Sequence, residues 1–299
     1  MLSPTPVTFK ANTLSPMFPA LEGMSALAVR GRDAAAFLQA QLMNDVAALV
    51  PGRWHWNGWL NPKGRLIALF ALAKIGEEEF LALLPDFPAA ELQARLQRYV
   101  FRSKLVLEVR DDLKCAADFT APPHEMPESR DQILACPDAV LCLDMGAEGG
   151  ERRMWLLPAA SPRLAPSDAT SQIRWDQLDL AHGLPRLAAG QSEAWTPQML
   201  SLERLHAFSL KKGCYPGQEI VARTHYLGKA KRGPARLRGT GLSAGASIKD
   251  ASGQDVGEVV FASGDEALAV LVQDPGRSLQ SDGQPLETLA FLDGLQRPV

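Results

Sequence analysis

The stretch Lys211-Lys212-Gly213-Cys214-Tyr215-Pro216-Gly217-Gln218-Glu219 stands out in this 299-residue chain because it places a cysteine after two lysines and just ahead of a Pro-Gly pair. Pro216 and Gly217 fit the two central positions of a type II turn, which would hold Cys214 near its entrance. We expect a helix to follow over residues 218–227, with its positive N-terminal end at the turn. Two lysine ammonium groups beside the thiol favour its thiolate form. The stretch therefore predicts a reactive or ligand-competent sulfur on a loop.

The alternative is that Cys214 is a small buried apolar residue, as most free cysteines are. Two lysines, a turn and the polar pair Gln218-Glu219 would make a poor core segment, so we favour the functional interpretation. Gly213 agrees with it, since glycine lets the backbone approach a partner closely or adopt a positive φ.

The same stretch lies in a basic window, residues 204–238. The window holds nine Lys or Arg residues opposed by Glu219 alone, which gives it a charge of +8 and leaves −11 for the rest of the chain. A focused positive field on an acidic body attracts anionic partners. The other interpretation is a solvated basic face that is neutralised by acids from elsewhere in the fold. On charge alone, we favour the neutralised face over the anion-binding surface.

Composition places the chain among ordinary globular proteins. Hydrophobic residues make up 46% and charged residues 22%, which excludes a collagen, a coiled coil and a wholly disordered chain. No stretch approaches the roughly 18 consecutive apolar residues that a membrane span needs, so we expect no membrane partner. The length predicts two or three domains.

The four cysteines, Cys115, Cys136, Cys142 and Cys214, are too scattered for a metal site within one chain. None belongs to a C-x-x-C pair, and no histidine accompanies them at zinc-ligand spacing. We therefore expect no stably bound metal and a reducing compartment with free thiols. Residues 1–10 lack the basic-then-apolar pattern of a signal peptide, so we expect a cytoplasmic protein.

Residues 21–110 alternate strand and helix patterns, after a proline-rich stretch (residues 1–20) that we interpret as an extended arm. Apolar spacing predicts one helix over 34–43, capped by Asp33 and ended by a left-handed Asn44. A second helix is predicted over 89–102, with Asp86 as its cap. The predicted strands and turn are 27–29, 54–60, a tight turn at 61–64, 66–75, 80–84 and 105–109.

Residues 111–230 repeat this theme less clearly, with a strand candidate at 154–157. Thr196-Pro197 is a good helix start, which predicts a helix over 198–208. From 231 to 299, short apolar segments separated by Gly, Ser and Asp predict a small β-barrel. The predicted fold class is therefore α+β, with two sheet-and-helix domains, 21–110 and 111–230, ahead of the barrel.

The octapeptide from Lys212 to Glu219 resembles the signature of the YgfZ family, folate-binding relatives of the glycine-cleavage T-protein. Further matching blocks are Ile220-Val221-Ala222-Arg223-Thr224, Gly228, Lys229 and Lys231-Arg232 downstream, and Gly31-Arg32-Asp33, Lys63-Gly64-Arg65, Gly183-Leu184-Pro185-Arg186 and Pro197-Gln198-Met199-Leu200 upstream. The octapeptide is highly specific, whereas the N-terminal blocks are shared across the wider superfamily.

The resemblance implies a three-domain, glycine-cleavage T-protein-like ring around a central tetrahydrofolate pocket. It also implies a role in assembling or repairing iron–sulfur clusters in client enzymes, including radical enzymes that modify tRNA. The family's central cysteine matches Cys214 and its motif lysine matches Lys212, so these two become the candidate catalytic residues. In the aminomethyltransferase branch an Asp pair helps to activate folate, and the corresponding positions here are Ala68 and Leu69. An aliphatic pair cannot accept a proton, so we expect glycine-cleavage chemistry to be lost.

For tetrahydrofolate, or a derivative of it, the candidate binding residues are Gln218, Glu219, Tyr215, Arg223 and Arg186. A carboxylate and an amide suit the amino and N–H donors of a pterin edge. Glu219 would equally well complement the dipole of its helix. An ion pair with Arg223, one helical turn further on, is a third explanation for it.

The three tryptophans Trp54, Trp56 and Trp59 could form a stacking platform for a pterin or a nucleobase. Alternation along a strand, however, puts Trp54 and Trp56 on one face and Trp59 on the other. No single three-ring platform then forms, and core packing is the role we favour for at least one ring.

Three functions remain open. The first, which we favour, is a folate-binding accessory factor for iron–sulfur client enzymes, not a conventional enzyme, in which Cys214 contacts a cluster, a persulfide or a partner. The second is a folate-dependent one-carbon transferase, which would lack the acidic group it needs. The third is a module that makes a weak tRNA contact through the basic window, although the window lacks the aromatic interleaving of single-strand readers.

Overall fold

The computed structural model describes residues 16–120, 129–134, 139–187, 189–228, 230–272 and 278–298. Most of the predicted N-terminal arm, together with Cys136 and Lys229, lies outside these residues. The strands are β1 Phe18–Pro19, β2 Met24–Arg30, β3 Arg53–Leu60, β4 Leu66–Gly76, β5 Glu79–Pro85, β6 Val106–Val109, β7 Leu113–Asp118, β8 Ile133–Leu134, β9 Leu141–Asp144, β10 Arg153–Pro158, β11 Leu164–Ala165, β12 Arg232–Arg238, β13 Ser247–Asp250, β14 Asp255–Ser263, β15 Glu266–Val272, β16 Leu279–Ser281 and β17 Gln284–Leu289. The α-helices are α1 Ala34–Gln41, α2 Ala89–Gln97, α3 Ala169–Ala181 and α4 Gln218–Leu227.

A five-stranded antiparallel sheet, in the order β3-β4-β5-β2-β6, comes first along the chain. Its strands turn alternate side chains to opposite faces. Trp54 and Trp56 belong to the core cluster on one face, and Trp59 belongs to the cluster on the other, with side chains of α1 and α2. The predicted strands and the split of the three tryptophans are confirmed, and all three rings are buried.

A four-stranded sheet, in the order β7-β10-β9-β8, follows. The end of the predicted arm is a short strand, since β1 pairs in parallel with β11. Strands β12 to β17 close into a barrel in the order β12-β15-β14-β13-β16-β17, which confirms the predicted C-terminal barrel. Its interior is filled by buried aliphatic side chains such as Leu237, Ile248 and Val259.

One core cluster connects the three sheets. It includes Trp54 from the first sheet, Leu156 from the second and Val260 from the barrel. Tyr215 and Val221, from the segment that carries the cysteine, belong to the same cluster. Because these side chains bury one another's apolar surface, the hydrophobic effect holds the sheets and the cysteine segment together.

The helix expected over 198–208 is wrong. The segment forms turns and a short 3-10 helix, Leu202–Leu205, because Ser201 (φ 46°) and His206 (φ 54°) adopt the left-handed conformation on either side of it. Conversely, helix α3 is not among the predicted helices. Its signal is Asp168, whose side chain accepts a hydrogen bond from Ser171 N at 2.9 Å as an N-cap.

Of the two predicted helix caps, one is confirmed in position only and the other is wrong. Asp33 occupies the N-cap position of α1 as predicted, but its side chain accepts a hydrogen bond from the backbone N–H of Lys104 (2.7 Å) and none from the helix. Asp86 forms an ion pair with Arg186 (2.6 Å), and Pro88 occupies the cap position of α2. In both cases a partner distant in sequence takes the carboxylate, which local patterns do not predict. Both helices end earlier than expected, at Gln41 and Gln97.

Candidate functional site

The Cys loop, residues 209–217, carries Cys214 on the surface of the protein. Gly217 has φ 80° and ψ −1°, and Gln218 N donates a hydrogen bond to Tyr215 O at 3.2 Å. These are the features of a type II turn with Pro216 and Gly217 in its centre, as predicted. Helix α4 begins at the next residue, also as predicted.

The surroundings of the described cysteines differ sharply. Cys214 is exposed, whereas Cys115 is buried, and burial raises the pKa of the Cys115 thiol to about 12. A Cβ added to Gly213 would meet nothing within 4 Å, and this glycine has no positive φ. Of the two roles expected of Gly213, the positive φ is not found, and the open space beside the thiol leaves the close approach of a partner as a prediction.

Lys212 is buried and anchors the Cys loop to the first helix. Its ammonium donates hydrogen bonds to three backbone carbonyls, those of Gln39 (2.6 Å), Leu42 and Asn44 (3.1 Å). Two of these carbonyls belong to the C-terminal end of α1, where a cation complements the helix dipole. Burial lowers the pKa of Lys212 to about 8, and the carboxylate of Asp45 opposes the shift. The Lys212 ammonium is therefore occupied by three backbone carbonyls, and its predicted catalytic role beside the thiol stays a prediction.

A second anchor joins the Cys loop to the turn at 61–64 through two glycines. A Cβ on Gly217 would lie 2.6 Å from Asn61 O and 2.8 Å from Gly64 Cα. A Cβ on Gly64 would lie 2.8 Å from the Cβ of Ile220 in α4. Both glycines also have a positive φ, of 80° and 70°. The backbone of the cysteine turn therefore packs directly on the first sheet's hairpin turn, and no side chain fits between them.

Tyr215 is directed into the core. Its side chain is buried within the cluster that joins the three sheets, and the Lys212 ammonium lies 4.9 Å from the centre of its ring. Burial raises the pKa of its phenol to about 12, so it is neutral. Among the residues that the structure describes, the hydroxyl has no hydrogen-bond partner. An unpaired buried hydroxyl is costly, which marks it as a group that a ligand or water would satisfy.

Two further buried polar atoms share this property. The indole N–H of Trp195, in the same core cluster, has no acceptor within the described part of the chain. Gln198 donates from Nε2 to Val221 O at 2.8 Å, but its Oε1 accepts nothing from the described residues. Trp195 and Gln198 are absent from the predicted site. Their sequence signal is the matching block Pro197-Gln198-Met199-Leu200, which contains Gln198 and begins two residues after Trp195.

Of the remaining predicted folate-binding residues, Gln218, Glu219 and Arg223 lie on α4, and Arg186 does not. Glu219 and Arg223 form an ion pair of 2.7 Å on the exposed side of α4, which confirms the pairing explanation. Gln218 bonds weakly to Lys212 O at 3.4 Å. Arg186 is buried elsewhere, where it donates to the carboxylates of Asp86 and Asp176.

Asn44 is a structural residue that local reasoning misplaces. It has no positive φ, contrary to expectation. Its backbone N–H donates to Asn57 Oδ1 (3.0 Å), and its side chain donates to the carbonyls of Trp56 (2.8 Å) and His206 (2.7 Å). Asn44 thus fixes the segment whose carbonyls receive Lys212. The neighbouring His55 is fully buried, and burial lowers its pKa to about 3, so it is neutral.

A cleft of about 460 Å³ opens beside the Cys loop. It is lined by Asn44, Asp45, Ala48, Glu203, His206, Phe208, Ser209, Leu210, Lys211 and His225. Lys211, unlike Lys212, is exposed, so one of the two lysines ahead of Cys214 remains available at the surface. The cleft gives a polar ligand or a partner's side chain room next to the loop.

Much of the basic window is neutralised by acids from the rest of the fold. Three of its arginines pair with acids from outside the window, Arg204 with Asp293, Arg236 with Glu266, and Arg238 with Asp265, Glu266 and Glu287. Arg223 pairs with Glu219, the acid inside the window. Lys212 is buried as described above. The window is therefore closer to the neutralised face that charge alone favours than to a free cationic surface.

Neither a metal-ligand cluster nor a membrane-spanning helix is present in the described part of the chain. Over the described ranges, no three or more His, Cys, Asp or Glu side chains are grouped as metal ligands would be. No described helix has the length and hydropathy to cross a membrane.

The fold itself has a solved counterpart. The aminomethyltransferase T of the glycine cleavage system from Bartonella henselae superposes with a TM-score of 0.68 at 17% identity, over 94% of this chain and 88% of that one. The fold therefore defines a glycine-cleavage T-protein-like protein. No family model matches the sequence.

Curated relatives narrow this class. The tRNA-modifying protein YgfZ of Vibrio vulnificus (strain CMCP6) is 28% identical over 267 residues, which cover 86% of this chain and 81% of that protein. The human mitochondrial iron–sulfur cluster assembly factor IBA57 is 30% identical over 275 residues, 84% of this chain and 76% of that protein. The chain belongs to the YgfZ family.

Proposed function

We propose that this protein is a cytoplasmic, reduced-folate-binding accessory factor that supports the assembly or repair of iron–sulfur clusters in client enzymes, including enzymes that modify tRNA. Relatives named for iron–sulfur cluster assembly and for tRNA modification support the role. The observation that carries the proposal is the exposed thiol of Cys214 on a loop anchored at two points.

Cys214 has the chemistry for a shared ligand. A single thiolate cannot hold a cluster, which needs further ligands from a client, from glutathione or from a second subunit. The cluster is then cargo, and Cys214 supplies one of its ligands while the adjacent cleft accommodates a side chain of the client. Anchoring by Lys212 and Gly217 fixes where the sulfur is presented, so that a client does not have to order the loop first.

Three buried polar atoms without partners among the described residues have chemistry that suits a folate. A pterin presents an amide, an amino group and ring nitrogens, which are both donors and acceptors. The unpaired Tyr215 hydroxyl, Gln198 Oε1 and Trp195 N–H are complementary to such groups. When bound, a reduced folate would supply one-carbon or redox chemistry, and the residues named here would bind and orient it.

A one-carbon transferase is less well supported. The positions that correspond to the catalytic Asp pair of the aminomethyltransferase branch hold Ala68 and Leu69, and both side chains are buried in apolar clusters. They neither accept a proton nor stabilise a cationic amine.

Two measurements separate the parts of this proposal. Titration with tetrahydrofolate, followed by tryptophan fluorescence, should give saturable binding that Cys214→Ala leaves unchanged. In cells, Cys214→Ala should lower the activity of client iron–sulfur enzymes, whereas the matched variant Cys115→Ala, which removes a buried thiol, should retain the activity of the protein that folds. Unchanged client activity in Cys214→Ala would refute the role of this thiol, and absence of saturable binding would refute the folate site.

A further inference from the structure

We propose that a groove at the end of α2 binds single-stranded RNA by stacking bases on exposed aromatic rings and pairing phosphates with arginines. The groove has a volume of about 450 Å³ and is lined by Trp59, Asn61, Ile67, Arg98, Tyr99 and Pro216, among others. A cavity of this size accommodates a nucleotide. The site does not depend on the proposed folate site, since Trp59 and Ile67 belong to the second core cluster and Tyr215 to the first.

The groove has an aromatic wall formed by two residues. The rings of Trp59 and Tyr99 meet edge to face, with centroids 6.1 Å apart. Trp59 is 4% exposed, and its indole N–H has no acceptor among the described residues. Tyr99 is 43% exposed, so part of its ring is open to a base. A base stacked on the open part of the Tyr99 ring gains ring contact, and the edge of Trp59 supports that ring from behind.

A second exposed ring follows two residues later along the chain. Phe101 is 86% exposed and has a φ of 43°, a conformation that is strained for a bulky residue. A phenylalanine displayed in this way contributes nothing to the core. Its exposure two residues beyond Tyr99 provides a place for a neighbouring base to stack.

The charge of this segment suits a phosphate backbone. Arg95 is occupied by Glu91 and Glu193. Arg98 and Arg102, in contrast, form no ion pair with any residue that the structure describes, and both are exposed. The order Arg98-Tyr99-Val100-Phe101-Arg102 therefore places two open aromatic rings between two available guanidinium groups, the interleaving that single-strand binders use. The basic window lacks that interleaving, and four of its arginines are paired with acids.

The test is fluorescence anisotropy of the full chain with a labelled single-stranded RNA of about 12 nucleotides and mixed sequence. The double variant Tyr99→Ser, Phe101→Gly should raise the Kd at least about 10-fold, since each lost stacking contact weakens binding by roughly that factor. Arg98→Gln should reduce the slope of log Kd against log salt by about 1. Phe101→Gly removes the ring at a position whose positive φ suits glycine, and circular dichroism verifies that the variants fold.

Matched controls come from the basic window. Tyr226 is an exposed aromatic residue on α4, and Lys231 is exposed, so Tyr226→Ser and Lys231→Gln should leave the Kd within about 2-fold, as expected for residues outside the contact. The proposal is overturned if the native protein binds no RNA at low salt, or if the control variants weaken binding as much as the groove variants. Arg98-dependent binding to anionic phospholipid vesicles without RNA binding would overturn it in favour of a membrane surface.

Discussion

Replacement of Lys212 by methionine tests whether its buried ammonium anchors the Cys loop. The variant keeps most of the side-chain volume but removes three hydrogen bonds, to the carbonyls of Gln39, Leu42 and Asn44. Bonds from a charged donor contribute about 1.5 kcal/mol each at the low end of their range, or about 4–5 kcal/mol together. Burial of the charge opposes this stabilisation, because the pKa of Lys212 falls from 10.5 to about 8, which corresponds to about 3 kcal/mol. Methionine carries no charge and avoids this cost.

The net expectation is that Lys212→Met lowers the free energy of unfolding by about 1–2 kcal/mol. Urea denaturation measures it, and Lys211→Met is the matched control, because that exposed side chain should change stability by less than about 0.5 kcal/mol. The alkylation rate of Cys214 provides a local readout, since release of the loop changes access to the thiol. Equal unfolding midpoints and equal alkylation rates for the two variants would refute the anchoring role.

Three other changes have defined outcomes. Gly217→Ala places a Cβ 2.6 Å from Asn61 O at a positive φ and should lower the free energy of unfolding by at least about 2 kcal/mol in urea denaturation. Gly213→Ala, in open space, should leave the free energy of unfolding nearly unchanged. Equal effects of the two variants would contradict the packing described. The folded-state pKa of Lys212 (about 8) lies below its unfolded value of 10.5, so the unfolded chain binds more protons between these pH values. The native protein should therefore gain stability relative to Lys212→Met as the pH rises through this range. A stability difference between the two proteins that does not change with pH would show that the amine stays charged. Tyr215→Phe removes an unpaired buried hydroxyl and should raise the stability of the free protein by up to about 1 kcal/mol. In the fluorescence titration it should weaken the binding of tetrahydrofolate about 10-fold. Unaltered affinity for tetrahydrofolate would exclude this hydroxyl from the folate site.

Local signals in the sequence are sufficient for the turn and helix that carry the cysteine. Pro216-Gly217 and the start of α4 are specified by residues within a few positions of each other, and both are confirmed. The barrel and the strands of the first sheet are likewise predicted by alternation and turn residues.

What the sequence does not predict depends on partners distant along the chain. Lys212 bonds to carbonyls about 170 positions away, so spacing suggests a lysine next to the thiol, whereas the fold uses it as an anchor. Asp86 has the composition of a helix cap, yet Arg186 takes its carboxylate. The segment 198–208 has a good helix start, but left-handed residues at Ser201 and His206 accompany its packing against the common core. In each case tertiary contacts outweigh local propensity.

The core cluster that contains Trp54, Leu156 and Val260 has a consequence for dissecting the molecule. Cutting the chain ahead of the barrel would expose Val260 and Val270 on one fragment and their apolar neighbours on the other, so neither piece would keep a closed interior. Truncations made at the sheet boundaries are therefore expected to aggregate instead of yielding autonomous modules, and the polypeptide should melt in a single cooperative transition.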